Sequence, residues 1–190
     1  MSKDLQVIQQ LYNRFREFYY EFKDNEVTYL KLNSKKVKNE DLELIGELTN
    51  LQMLNLCSND ITKIQGLDKS TKLRWLNLGR NKITEVKGLE KMVNLQVLEL
   101  YDNNFTEIKG LDKLVKLQLL SLYWNKISKI ENLNKLVNLQ KLWLDWNYIT
   151  EIKDLDKLTN LQEISLKENN IPEEEIKQFK INNPKISIYY

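Results

Sequence analysis

Glu99 and Asp145 are the side chains that most invite a catalytic reading, since two carboxylates flanking one site can serve as an acid/base pair in glycoside hydrolysis. Cys57, the single cysteine, is the one candidate nucleophile. Both readings fail on chemistry. The chain contains no histidine, which removes the usual general base at neutral pH, the commonest metal ligand and the usual activator of a thiol. Glu99 and Asp145 stand two repeat units apart, with no Gly-rich phosphate loop nearby. One cysteine can form neither an internal disulfide nor a metal cluster. The chain is therefore expected not to be an enzyme and to carry no cofactor and no metal.

The remaining chemistry is that of binding. The four tryptophans are Trp75, Trp124, Trp143 and Trp146, and Tyr101 and Tyr123 stand close to them in the pattern. Trp and Tyr are favoured anchors of binding hot spots. What positions them is a period of 22 residues. Leu51, Leu73, Leu95, Leu117, Leu139 and Leu161 each open the phrase L-x-x-L-x-L-x-x-N-x-I, from LQMLNLCSNDI to LQEISLKENNI. A period of that size means a stacked array in which each unit buries its apolar face against the next.

Each column of the array then has its own task. In LNL at 54–56, alternate side chains face opposite sides of a strand, so Leu54 and Leu56 point into the core. Recurring strands build a parallel sheet spaced about 4.8 Å, with the I-x-x-I-x-x-L segments returning along the outer side. Asn59, Asn81, Asn103, Asn125, Asn147 and Asn169 follow the strands, and a carboxamide there can satisfy backbone groups left without sheet partners. They are expected to form a structural ladder rather than a ligand site. The outward strand positions are left over. One column reads Met53, Trp75, Val97, Leu119, Lys141, Glu163 and the next Asn55, Asn77, Glu99, Ser121, Trp143, Ser165. The last two read Cys57, Gly79, Tyr101, Tyr123, Asp145, Lys167 and Ser58, Arg80, Asp102, Trp124, Trp146, Glu168. All four tryptophans fall in these columns.

The ends depart from the pattern. Leu5, Ile8, Tyr12, Phe15, Tyr19 and Phe22 form an apolar stripe that predicts an amphipathic helix over 1–24, stopped at Asp24-Asn25. A degenerate first repeat occupies 25–47, with Lys35 in the asparagine position. Six regular repeats occupy 48–179, the last merging into a short helix after Pro172, and 180–190 form a terminal strand. Both ends are expected to cap the array. The helical stripe also fits a coiled-coil seam, but capping needs the same surface, so a monomer is expected rather than a helix-mediated dimer.

The pattern resembles the leucine-rich repeat family, in its 22-residue class, which includes the phosphatase-regulating nuclear subunits and the bacterial internalins. The resemblance implies a right-handed α/β solenoid with a concave parallel sheet, a short-helical, 3-10 or irregular convex side and capped ends. It implies little about role, because one architecture serves many partners. A phosphatase-regulatory subunit and a bacterial effector or immunity-type binder are both consistent with it.

Charge narrows the partner. The chain has 29 basic and 27 acidic residues, a formal net charge of +2, and the signs alternate without a segregated basic face. Nucleic-acid binding is not expected. The amino terminus carries charges throughout and no run approaches the roughly 20 apolar residues of a membrane span. A soluble cytoplasmic protein is the expectation. The expected binding surface comprises Trp75, Val97, Glu99, Tyr101, Asp102, Leu119, Tyr123, Trp124, Trp143, Asp145 and Trp146. Its acids suit a protein partner that presents basic residues. A carbohydrate or small-ligand receptor is the rival reading, weakened by the expected flatness of an open concave face.

Overall fold

The computed structural model describes residues 2–190 and consists of one nine-stranded sheet wound through stacked turns of chain. Helix α1 (Lys3–Phe15) leads into strands β1 (Tyr19–Lys23) and β2 (Glu26–Lys31), then helix α2 (Asp41–Gly46). Six three-residue strands follow at the 22-residue period: β3 (Met53–Asn55), β4 (Trp75–Asn77), β5 (Val97–Glu99), β6 (Leu119–Ser121), β7 (Lys141–Trp143) and β8 (Glu163–Ser165). Helix α3 (Glu173–Asn182) and strand β9 (Ser187–Tyr189) finish the chain. Strand order is the order of sequence, and every pair from β2 to β9 is parallel.

Consecutive strands pair residue for residue, Leu54 with Leu76 and Leu76 with Leu98. The two leucines of each strand and those of the return segments therefore stack into continuous buried columns. Between strands β4 and β8 the return segments are turns rather than helices. Each holds two successive i-to-i+3 backbone bonds, such as Met92 N–H to Leu89 C=O and Leu95 N–H to Met92 C=O. One column carries an anomaly. Ser70 stands where Leu48, Met92, Leu114, Leu136 and Leu158 stand in the other turns, and its hydroxyl is buried without a hydrogen-bond partner.

The amino terminus corrects the expected helix over 1–24. The helix ends at Phe15, where Arg16 turns to φ 59°, and Tyr19–Lys23 is a strand. Residues 19–23, YYEFK, are rich in aromatic β-formers. Asp24 (φ 50°) and Asn25 (φ 64°) are not a helix stop but the two-residue turn of a hairpin, a conformation that Asn and Asp tolerate. The steps of three and four through Phe15, Tyr19 and Phe22 mimic a helix by coincidence. The buried stripe of α1 is Asp4, Val7, Ile8, Leu11 and Phe15, whereas Leu5 and Tyr12 face solvent. Ser2 Oγ caps the helix by accepting from Leu5 N–H. Asp4 is spent elsewhere, its carboxylate accepting from Val27 N–H at 2.7 Å to fasten the helix to β2. Arg14 pairs with the buried Asp41 of α2, and Lys3 and Lys69 both reach Glu47. The two lysines hold the Glu47 carboxyl down to about 2.

At the other end α3 runs to Asn182, beyond the expected start of the terminal strand at 180, and β9 occupies only Ser187–Tyr189. Its register, Ser165 with Tyr189, is a step of 24 residues instead of 22. None of the helices described is long and apolar enough to cross a membrane.

Candidate functional site

Just past each strand the chain turns inward, and the asparagine column supplies the hydrogen bonds that the turn lacks. Asn125 Nδ2 donates to the carbonyls of Leu122 (2.9 Å) and Leu100 (3.1 Å), while its Oδ1 accepts from Phe105 N–H (3.1 Å). Asn81, Asn103 and Asn147 repeat these contacts, and Asn169 repeats them half-buried at the end. Asn59 accepts instead from both Lys35 and Val37 N–H, so the first repeat is served by its neighbour's asparagine despite having lysine at its own position. Every carboxamide donor and acceptor in this column is engaged by backbone.

The residue before each asparagine is left-handed: Ser58, Arg80, Asp102, Trp124, Trp146 and Glu168 have φ between 52° and 58°. Asp tolerates that region, but for a ring as bulky as indole it is an unfavourable choice. The repeat dictates the backbone there, and Trp124 and Trp146 occupy it against local preference.

The outward columns divide the concave face into two halves. In the first, side chains are satisfied by one another. Trp75 Nε1–H donates to Glu99 at 3.0 Å and Asn77 Nδ2 donates to its second oxygen at 2.8 Å. Burial raises the Glu99 carboxyl above the usual range. Tyr101 lies flat over Gly79, where a Cβ would stand 2.4 Å from its ring, and reaches Cys57 Sγ at 3.1 Å. Its other face stacks on Tyr123, centroids 4.7 Å apart and planes 3° from parallel. Burial shifts both phenol groups upward. Asp102 is met by Arg80 at 3.8 Å, and Val97 and Leu119 are half-buried between Trp75 and Lys141. Trp75, Glu99 and Tyr101 therefore belong to an internal network, and Asp102 to an exposed ion pair.

The second half is open. Trp124 and Trp146 are 47% and 52% exposed and meet edge to face, 6.1 Å apart at 86°. Trp143 Nε1–H donates to Glu163 at 2.9 Å, and Lys141 also pairs with Glu163 at 3.0 Å. These contacts hold the Glu163 carboxyl below its usual range. Asp145 Oδ1 accepts from Ser165 Oγ and from Lys167 N–H (3.1 Å). Lys167 carries its ammonium over the Tyr189 ring, 5.8 Å from the centroid. Together Tyr123, Trp124, Trp143, Trp146 and Tyr189, with Asp145, Glu163, Ser165 and Lys167, line a shallow, open recess of about 450 Å³.

The recess is shallow and open, in keeping with the open face expected, and four of its residues lie outside the expected set. Glu163, Ser165 and Lys167 stand in the outward columns of the last repeat, where the columns alone would have found them. Tyr189 enters because β9 continues the sheet in a step of 24, which the 22-residue period does not reveal. Among the described residues no cluster of three or more His, Cys, Asp or Glu is arranged to hold a metal.

Comparison with known proteins addresses the frame that carries this face. The family model "Leucine Rich repeats (2 copies)" matches residues 71–114. No curated protein matches the sequence. Among solved structures, the chain is 29% identical to the internalin inlF of Listeria monocytogenes, with a TM-score of 0.72 over 80% of this chain and 44% of that one. It is 30% identical to a leucine-rich repeat protein of Leptospira interrogans, with a TM-score of 0.71 over 77% of this chain and 39% of that one. It thus spans under half the length of these two. For internalin C2 of Listeria monocytogenes the identity is 32% and the TM-score 0.60, over 77% of this chain and 74% of that one. The fold is one that commonly mediates protein–protein interaction, and its relatives are typically non-enzymatic interaction modules. With its stacked parallel strands, its leucine columns and its asparagine ladder, this chain belongs to the leucine-rich repeat family.

Proposed function

We propose that the protein is a non-catalytic interaction module, a scaffold, adaptor or regulatory subunit, that grips another protein with the carboxy-terminal half of its concave face. The observation that carries this reading is the pair Trp124 and Trp146. Both rings stand about half exposed, on left-handed backbone that disfavours them, at the mouth of an aromatic-walled recess. Large side chains kept at an energetic disadvantage point to a use outside the fold. Trp143, Tyr123 and Asp145 complete the contact surface. Tyr101, Glu99 and Trp75 act behind it by stiffening the sheet. A cytoplasmic setting belongs to the same proposal.

Affinity capture with the native protein and with the Trp124→Ala/Trp146→Ala double variant tests the assignment. Loss of the partner with the variant, at unchanged folding, is the expected result. Retention of the same partner at the same yield overturns the assigned face. A carbohydrate ligand is the second reading, favoured by one observation: the recess of about 450 Å³ is of small-ligand size, and tryptophan faces stack on sugar rings. Binding on a glycan array that is abolished by Trp143→Ala would establish it in place of the first.

A further inference from the structure

On the reading that this face binds a protein, its charges specify what part of that protein enters the recess. Of the five carboxylates in the outward columns, two have a counter-ion, one has both oxygens held by neutral donors, and Glu168 stands outside the lining of the recess. Glu99 has both oxygens occupied by the neutral donors of Trp75 and Asn77, Asp102 has Arg80, and Glu163 has Lys141 and Trp143. Asp145 differs. Its Oδ1 is held by a hydroxyl and a backbone N–H, both neutral, and its Oδ2 accepts nothing from the described residues. The lysine one repeat along the same column, Lys167, does not pair with it and lies over Tyr189 instead. Asp145 is thus an oriented carboxylate with no counter-ion among the described residues, set in a wall of tryptophan and tyrosine rings.

Ring faces carry negative potential, and a partly desolvated carboxylate beside them adds to it. An anion is disfavoured, because Asp145 brings an oxygen without a donor to the lining while Lys167 lies over the Tyr189 ring. Of the cationic side chains, a guanidinium suits the site better than an ammonium. It is planar, weakly hydrated and stacks on indole while donating from its edge, and Ser165 Oγ retains lone pairs beside the free Asp145 oxygen. We propose that the recess holds one arginine side chain of the bound protein, stacked on the tryptophan wall and charge-paired with Asp145.

The test follows the indole N–H signals of the four tryptophans in the full chain by nuclear magnetic resonance. N-acetyl-arginine amide, its lysine counterpart and its neutral citrulline counterpart are titrated in turn. The arginine compound is expected to shift Trp143 and Trp146 saturably and to leave Trp75 unmoved. Citrulline should bind about tenfold more weakly, and lysine between the two. Asp145→Asn, which keeps an Oδ1 acceptor, should reduce arginine to the citrulline level, with a free-state spectrum that overlays the native one. Equal binding of arginine and citrulline, or no effect of Asp145→Asn, overturns the proposal and leaves the protein-binding reading standing. Absence of any saturable shift at Trp143 and Trp146 overturns it too, while the capture experiment decides separately whether the face binds a protein at all. Trp146→Ala, a solvent-facing change, provides the second variant and should abolish the shift at Trp143.

Discussion

The two halves of the concave face are built on the same backbone and differ in what their side chains do with one another. Around Gly79, aromatic and acidic groups close a network: Trp75 and Asn77 on Glu99, Tyr101 on Cys57, and Tyr101 on Tyr123. Around Trp146, the rings touch only edge to face and leave a recess. The difference rests on one small residue. Gly79 lets Tyr101 fold down along the sheet, whereas the same column at Asp145 and Lys167 offers no ring to lie down and no glycine to receive it. Aromatic content alone therefore does not mark a binding surface. On the function proposed above, the freedom of the rings from each other does.

The largest expected effect lies beneath both halves. Asn125→Ala removes hydrogen bonds to Leu100, Leu122 and Phe105 at a buried turn, and should cost about 3 kcal/mol of unfolding free energy in urea titration. Asn169→Ala, half-buried at the end of the ladder, should cost about half as much. Within the closed half, Gly79→Ala sets a Cβ against the Tyr101 ring and should cost about 2 kcal/mol. It should also raise the reaction rate of Cys57 with a thiol reagent as Tyr101 lifts away. In the open half, Trp124→Asn should change stability by less than about 0.5 kcal/mol. Relief of the left-handed backbone, worth about 1 kcal/mol, offsets loss of the edge-to-face pair. If Trp124→Asn proves as costly as Gly79→Ala, the two halves are alike and both are structural.

The smallest effect tests the amino-terminal attachment, which neither half should feel. Glu47 has a lowered pKa in the folded protein, held there by Lys3 and Lys69. Its contribution is thus complete above the ordinary carboxylate range and is lost as pH falls toward about 2. Glu47→Gln should flatten the acid limb of the melting temperature against pH in that window and leave the melting temperature at neutral pH nearly unchanged, because solvent screens the two lysine contacts.

Periodicity made much of the frame legible. Alternation within each strand set Leu54 and Leu56 inward, and a fixed spacing carried that assignment through Leu166. The asparagine column was readable because the turn after a strand has a known shortage of hydrogen-bond partners. The strand at Tyr19–Lys23 was not, because Tyr19 and Phe22 happen to continue the three- and four-residue steps of the helix that ends at Phe15. The division of the concave face was hidden for another reason. Columns say which side chains point outward, but whether Glu99 faces a partner or Trp75 depends on cross-strand geometry that no single repeat contains. Ser70, polar in a leucine column, was in plain view, yet nothing in the structure explains its buried hydroxyl.

The antiparallel strand β1 has a consequence for self-assembly. An array of identical parallel turns is open at both ends, and head-to-tail stacking of one molecule on another would propagate into a filament. Strand β2 presents the edge that the β9 of a second molecule would need. Strand β1 covers that edge with a strand running the other way, irregular at Glu21/Phe22 and bearing Glu21 and Lys23. Reversing a single strand in this way gives the solenoid a beginning, and growth by addition of like units stops there.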